Sequence, residues 1–177
     1  MLSAIKSIFT PPACRDEAHK LYVALVTQAR SPFFYDKGAV PDTVDGRFDV
    51  IVLHMFMVIH RLRVAPQGSH ASLFIRALQE VFFADMDRSV REMGSTDTGV
   101  GKRIKKMAQA FYGRLQAYEQ GIQTDTLSDS LVRNLYRGDA PDDKALMAIV
   151  DYVTRNMAQL DIQETDVLLT GAIKFSA

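Results

Sequence analysis

The chain has 177 residues, with 21 basic and 21 acidic side chains and a formal net charge of zero. This balance excludes a polyelectrolyte that binds nucleic acid through its total charge, so electrostatic recognition would need a local surface. The hydrophobic fraction of 47% is sufficient for a core without disulfides or structural metal. We therefore expect one domain, with residues 1–15 as an N-terminal segment and residues 16–177 as a single helical domain.

The apolar runs are too short to cross a membrane. The longest covers residues 50–59 and is interrupted by His54. It is about half as long as the roughly 20 residues that a membrane-spanning helix needs. No secretory signal is visible, and the first nine residues have the spacing of a short amphipathic helix. We expect this helix to dock on the protein's own core, with contact to a membrane or a partner as the alternative.

Apolar residues recur at helical spacing along most of the chain, and no strand is required. Helices are predicted at residues 16–30 and 47–63, from the Ser69 N-cap to Gly94, from Lys102 to Gly121, after Thr126 to Gly138, and from Pro141, with one more short helix in residues 164–175. The expected fold class is all-α, a single-domain bundle of about six or seven helices.

Local signals refine several helix ends. The aromatic residues 33–35 follow a Ser-Pro stop and are expected to form a connector that tucks under the neighbouring helices. Thr126 followed by Asp129 predicts a capping box. Pro141 fits the first position of the next helix, where a missing N–H costs nothing.

The stretch from residue 80 to residue 118 organises the chain. It reads as two helices joined by a Gly-rich turn, and residues 99–118 hold five bases and no acids. Residues 139–166 hold seven acids against two bases. Two interpretations stay open at this point: the two regions neutralise each other or are separately solvated, or the bases form a recognition surface.

Helix phase separates the two aspartates of this stretch. Asp85 falls on the apolar face of its helix with Val81 and Phe82, so it is expected to be buried and paired with a base from the following helix. Asp87 points elsewhere and is expected at a charged surface.

The residue spacings give little support for a catalytic site or a metal site. His54 and His60 are six residues apart and point to different faces, and His54 is expected to be a core histidine. Cys14 is the only cysteine and follows two prolines, in a segment expected to be mobile. Gly99 and Gly101 before a lysine give only a weak phosphate-cradle signal. We expect no enzyme, no metal, no cofactor and no small-molecule substrate.

Several longer sequence motifs are more specific for a protein family than the short patterns above. The sequences F-F-A-D-M-D, R-E-M-G, G-K-R-I-K-K-M and F-Y-G-R, with P-D-T-V-D-G-R-F-D upstream, together resemble the ubiquinol–cytochrome c chaperone family. The likeness covers roughly residues 21–121. The resemblance implies an assembly chaperone that binds newly made cytochrome b and supports assembly of the ubiquinol–cytochrome c reductase (bc1) complex. The start does not look like a transit peptide, so a bacterial member, peripheral at the cytoplasmic face of the inner membrane, is expected.

A charged and apolar surface would carry such a function. The candidate partner-binding residues are Asp87, Arg88, Arg91, Glu92, Asp97, Lys102, Lys105 and Lys106. The alternative is a basic-helix module that binds RNA or the ribosome, since such a helix could meet phosphates. The ribosome is also a candidate second partner of a chaperone, whereas DNA is not expected.

Overall fold

A computed structural model describes residues 12–94 and 97–176, and side chains for residues 14–94 and 99–176. These parts of the chain form eight helices and no strand. The helices are α1 Pro12–Ala29, α2 Pro32–Asp36, α3 Val44–Leu62, α4 His70–Glu92, α5 Asp97–Gln123, α6 Leu127–Asn134, α7 Asp143–Asp161 and α8 Thr165–Leu168. Since α2 and α8 are short turns of five and four residues, six helices form the body of the bundle. The predicted all-α class is confirmed.

α3 lies at the centre of the bundle. It contacts α1, α4, α5 and α7, and every residue from 52 to 59 is buried. A helix that is apolar on all sides is stable in water only when other elements surround it. The sequence-based prediction of a central helix here is confirmed.

The entry to α3 is tightly built. The Thr43 hydroxyl accepts a hydrogen bond from the backbone N–H of Gly46 at 3.0 Å, so the helix begins at Val44, before the predicted start at Arg47. A Cβ atom at Gly46 would lie 2.0 Å from the carbonyl oxygen of Pro41. This approach requires glycine.

The N-terminal part of the bundle differs from the sequence-based expectation. α1 begins at Pro12, and Cys14 is buried in its first turn, so the predicted mobile segment at Cys14 is wrong. Pro12 fits a first helical position because its missing N–H would have no partner there. The expected aromatic connector is the short helix α2, in which Phe34 is fully buried as expected.

α4 and α5 form an antiparallel hairpin that packs on α1 and α3. The predicted Ser69 cap is confirmed by its hydroxyl, which accepts from the N–H of Ser72 at 3.3 Å. Gly94 follows α4 at φ 79°, as predicted. The rings of Phe82 and Phe111 stack with centroids 4.9 Å apart and join the two helices.

α5 is longer than predicted at both ends. It begins at Asp97, so Gly99 and Gly101 lie inside the helix and the weak phosphate-cradle interpretation is wrong. It also continues through Gly121, where the Ser130 hydroxyl would lie 2.5 Å from a Cβ atom. Glycine at this position therefore allows α6 to approach α5 closely.

α6 begins directly after Thr126, as predicted, but the predicted capping box and the predicted start of α7 at Pro141 are wrong. Thr126 precedes α6, but its side chain makes no capping hydrogen bond and instead shares one with the Thr124 hydroxyl at 2.8 Å. α7 is capped by Asp142, which accepts from the N–H of Ala145 at 2.8 Å, so Pro141 lies outside the helix.

The tail closes the bundle over α3 and α7. Phe175 packs its ring against His54 with centroids 5.2 Å apart, and the N–H of Ser176 donates to Asn156 at 2.7 Å. None of the helices within residues 12–94 and 97–176 is long and apolar enough to cross a membrane. The amphipathic helix predicted for the first nine residues lies outside the described residues.

Candidate functional site

The predicted partner-binding residues fall on the α4–α5 hairpin. Asp87, Arg88, Arg91 and Glu92 lie near the end of α4, and Lys102, Lys105 and Lys106 lie near the start of α5. All of these are exposed except Asp87, which is half-buried. Asp97 begins α5, and its side chain lies outside the described residues.

Ion pairs within α4 neutralise part of the charge of these surface residues. Arg91 donates to Asp87 at 2.7 Å, and Arg88 pairs with Asp85. Tyr22 of α1 donates to the other Asp85 oxygen at 2.8 Å. The expectation of a buried Asp85 held by a base from α5 is therefore wrong. Its side chain is 24% exposed, and its partners come from α1 and α4 because α1 packs along this face of α4.

Among the side chains that the structure describes, the fully buried carboxylate is that of Asp49 in α3. It is fully buried, with its oxygens 2.9 Å from Arg114 of α5 and 2.8 Å from Arg137 after α6. Burial raises the pKa of the Asp49 carboxyl, and the guanidinium groups of Arg114 and Arg137 act in the opposite direction. Sequence reasoning missed this residue. The available signal was an aspartate next to a long apolar run.

Arg137 connects this buried charge to the surface. Its backbone has φ 58°, which is costly for a residue with a Cβ atom. Its guanidinium donates to Asp49 and also to Asp45 at 2.8 Å. The two carboxylates thus fix an arginine side chain beside the start of α3.

A groove opens beside this arginine, between the start of α3, the end of α4 and the start of α5. We call it the hairpin groove. Its volume is about 430 Å³, within the range of sites that hold ligands or partner side chains. Its floor is mainly apolar. The floor residues are Phe48, Ile51, Met86, Val90, Met107 and Ala110.

The charges at the rim of the hairpin groove are unequal. Arg47 donates to Asp42 at 2.6 Å, and Arg137 is held by two carboxylates. Arg103 and Lys106 of α5 also line the groove, and neither forms an ion pair with any described residue. Unneutralised positive charge is therefore concentrated on the α5 side.

Of the predicted site residues whose side chains the structure describes, the groove includes one, Lys106. The sequence placed Arg103 in the basic stretch but did not select it. Met93 also lines the groove and is 47% exposed. Methionine at such a rim adapts to apolar partners of different shape, but which methionine is exposed depends on the tertiary fold.

The histidines have structural contacts. His54 is fully buried in the core, as predicted, and burial lowers its pKa to about 4. His60 lies 2.8 Å from Glu119. No group of three or more potential ligand side chains that could hold a metal occurs in the part of the chain that the structure describes.

Comparison with known proteins identifies the family. The model of the family described as "Ubiquinol-cytochrome C chaperone" matches residues 36–175. The chain belongs to this family. The match includes the hairpin groove and Asp49, and it confirms the resemblance inferred from the motifs.

Relatives of this family occur in mitochondria and bacteria. The chain is 27% identical over 159 residues to "Ubiquinol-cytochrome-c reductase complex assembly factor 1" of Xenopus laevis, covering 88% of this chain and 78% of that protein. Identity to the Homo sapiens protein of that name is 26% over 161 residues, covering 89% of this chain and 53% of the relative. The chain thus spans about half the length of the human relative.

A solved structure has the same fold. The "Crystal structure of the Cbp3 homolog from Brucella abortus" matches with a TM-score of 0.79 and 32% sequence identity, covering 93% of this chain and 91% of that chain. "Protein CBP3, mitochondrial" of Saccharomyces cerevisiae is 26% identical over 148 residues, covering 81% of this chain and 44% of that protein. The family is therefore supported by sequence and by fold.

Proposed function

We propose that this protein is an assembly chaperone of the ubiquinol–cytochrome c reductase (bc1) complex and that its client is newly made cytochrome b. The observation that carries the proposal is the family match over residues 36–175, together with relatives that are named as assembly factors of this complex. The protein acts by binding, without a catalytic step, and at the cytoplasmic face of the inner membrane.

The hairpin groove and the charges at its rim suit a chaperone that must release its client. Unassembled membrane proteins expose long apolar segments that are prone to aggregate. An apolar groove flanked by charges such as Lys106 shields part of such a segment. Exposed charges increase the rate of encounter more than they strengthen the complex, so release remains fast.

The test is a gene deletion in the source organism, with complementation by the wild-type chain. We expect the deleted strain to lose assembled bc1 complex and the b-type haem signal of its membranes, while other respiratory complexes persist. A haem difference spectrum and quantified cytochrome b measure this. Unchanged cytochrome b under conditions that require the complex would refute the proposal.

A second candidate is a module that binds RNA or the ribosome. The observation in its favour is the exposed face of Lys102 and Lys105, which lies outside the groove. Such binding would weaken steeply with added salt because phosphate contacts release counterions. Filter binding of the purified protein to unrelated RNA at two salt concentrations tests this function directly.

A further inference from the structure

The hairpin groove combines an apolar floor with a concentration, on its α5 side, of positive side chains that have no ion-pair partner among the described residues. Arg103 and Lys106 are three residues apart and therefore lie on the same face of α5. The opposite wall is formed by the start of α3, where Arg47 and Arg137 already have carboxylate partners. A ligand thus meets free positive charge along α5 and apolar surface beneath it.

From this asymmetry we infer that the groove binds an amphipathic helical segment of the client, with apolar side chains on the floor and carboxylates facing α5. The inference rests on the proposed function and names the chemistry of the client segment. Acidic residues three or four positions apart in the segment would match Arg103 and Lys106, because such residues share one helix face.

The apolar lining of the groove favours a protein segment of variable sequence. Met86, Met93 and Met107 contribute three flexible thioether side chains to the groove. Methionine packs well against apolar side chains of different shape, and it is frequent at surfaces that bind several partners. An amphipathic helix bound in an apolar groove is a recurring recognition mode.

The rim argues against a lipid surface as the occupant. Asp45 lines the same groove as Arg103 and Lys106 and is paired with Arg137, so the α3 side of the rim offers a phosphate headgroup no unpaired positive charge. A helix can place its acids toward α5 and neutral residues toward Asp45. The mixed rim therefore favours a peptide over an anionic membrane.

The experiment uses three synthetic peptides of about 18 residues, long enough to form a helix. The first has leucines on one face and glutamates at positions i and i+4 beside them. In the second, lysine replaces each glutamate, and in the third, alanine replaces each leucine. Fluorescence anisotropy with the full chain at physiological salt measures each affinity.

Charge reversal of Arg103→Glu with Lys106→Glu is the main variant. Lys102→Glu with Lys105→Glu is its matched control, since these lysines lie on the same helix outside the groove. Met93→Glu tests the apolar lining of the groove, with Met147→Glu as its control, because Met147 is similarly exposed at 53% but lies on α7. Acids near the start of α5 are compatible with the helix dipole, so folding should persist.

We expect the wild-type protein to bind the glutamate peptide about tenfold more tightly than the lysine peptide, since two such contacts supply ~1.4 kcal/mol. The Arg103→Glu/Lys106→Glu variant should reverse this preference, and its control should keep it. The alanine peptide and the Met93→Glu protein should both bind weakly. Equal effects of the two double variants, or binding of phosphatidylglycerol vesicles without any peptide preference, would overturn the inference.

A cellular arm separates this inference from the proposed function. Deleted cells are complemented with the wild-type chain or with Arg103→Glu/Lys106→Glu, and cytochrome b is quantified. If deletion lowers cytochrome b and only the wild-type chain restores it, the result supports both the groove inference and the chaperone function. Full restoration by the variant overturns the groove inference and leaves the chaperone function intact. No loss on deletion overturns the chaperone function, whatever the peptides show.

Discussion

The hydroxyl of Tyr152 donates a hydrogen bond to Nε2 of His54 at 2.9 Å, across the interface between α7 and α3. Nδ1 of the same imidazole donates to the carbonyl oxygen of Val50 at 2.8 Å, which fixes a neutral tautomer. Gln28 of α1 donates to the Tyr152 oxygen at 3.2 Å. Three helices are thereby joined by one buried polar chain.

The Tyr152 hydroxyl should therefore contribute measurably to stability. We expect Tyr152→Phe to lower the free energy of unfolding by about 1–3 kcal/mol, because Nε2 of His54 loses its donor in a buried site. Tyr118→Phe is the matched control, since that hydroxyl is also buried but has no hydrogen-bond partner among the described residues. The control should be neutral or more stable. Urea unfolding measures both, and equal losses would contradict this account.

Stability should also depend on pH through His54. Burial lowers the pKa of this imidazole from 6.5 to about 4, so between these values the unfolded chain binds more protons than the folded one. Stability should be fully present above pH 6.5 and should fall as the pH decreases toward 4. From pH 7 to pH 5 the expected loss is about 2 kcal/mol, measured by urea unfolding. A His54→Gln protein should show a flatter profile, and an equally steep one would refute the assignment.

The two aspartates of different burial should behave differently. We expect Asp49→Asn to destabilise the fold by about 3–5 kcal/mol, because Arg114, which is 13% exposed, loses its charged partner. Asp85→Asn should cost at most about 1 kcal/mol, since its pair with Arg88 is partly solvated. Chemical denaturation of the two variants decides this. A larger loss of unfolding free energy for Asp85→Asn than for Asp49→Asn would contradict this account and would support the burial of Asp85 that helix phase predicts.

The contrast between these aspartates shows what a sequence pattern can and cannot predict. The period of apolar residues was sufficient to identify α3 as central, because its middle is apolar on all sides. It could not identify Asp49 as the buried acid, since the burial depends on Arg137, which is 88 residues away. Asp85 follows the apolar period, but the Tyr22 hydroxyl and the edge of α1 leave it partly in water.

The basic helix could be predicted only in part for the same reason. The absence of acids in residues 99–118 indicated a positive surface, and the exposed Lys102, Lys105 and Lys106 agree with it. Which bases remain unneutralised beside apolar surface depends on α3 and α4, which are distant in sequence. Arg103 was not selected because nothing in its local sequence distinguishes it from its neighbours.

The exposed lysines outside the groove distinguish the two candidate functions. If RNA binding is the function, Lys102→Glu with Lys105→Glu should weaken it at least about tenfold and reduce the salt slope by about two, as two phosphate contacts are lost. If client binding is the function, the same variant should retain cytochrome b in affinity purification from membrane extracts. Tight, salt-sensitive binding of wild-type protein to unrelated RNA, abolished in the variant, would favour the RNA-binding alternative.

The close approach of Gly46 to the Pro41 carbonyl restricts which substitutions the start of α3 can accept. Gly46 must leave room for the Pro41 carbonyl, while in the same short stretch Thr43 caps α3, Phe48 forms part of the groove floor and Asp49 supplies the buried charge. A substitution here disturbs several requirements at once, and compensation would have to arise on distant helices. We therefore expect such a stretch to diverge slowly over evolutionary time. Remote relatives should therefore be sought with residues 41–49, even where the bases of α5 have been replaced.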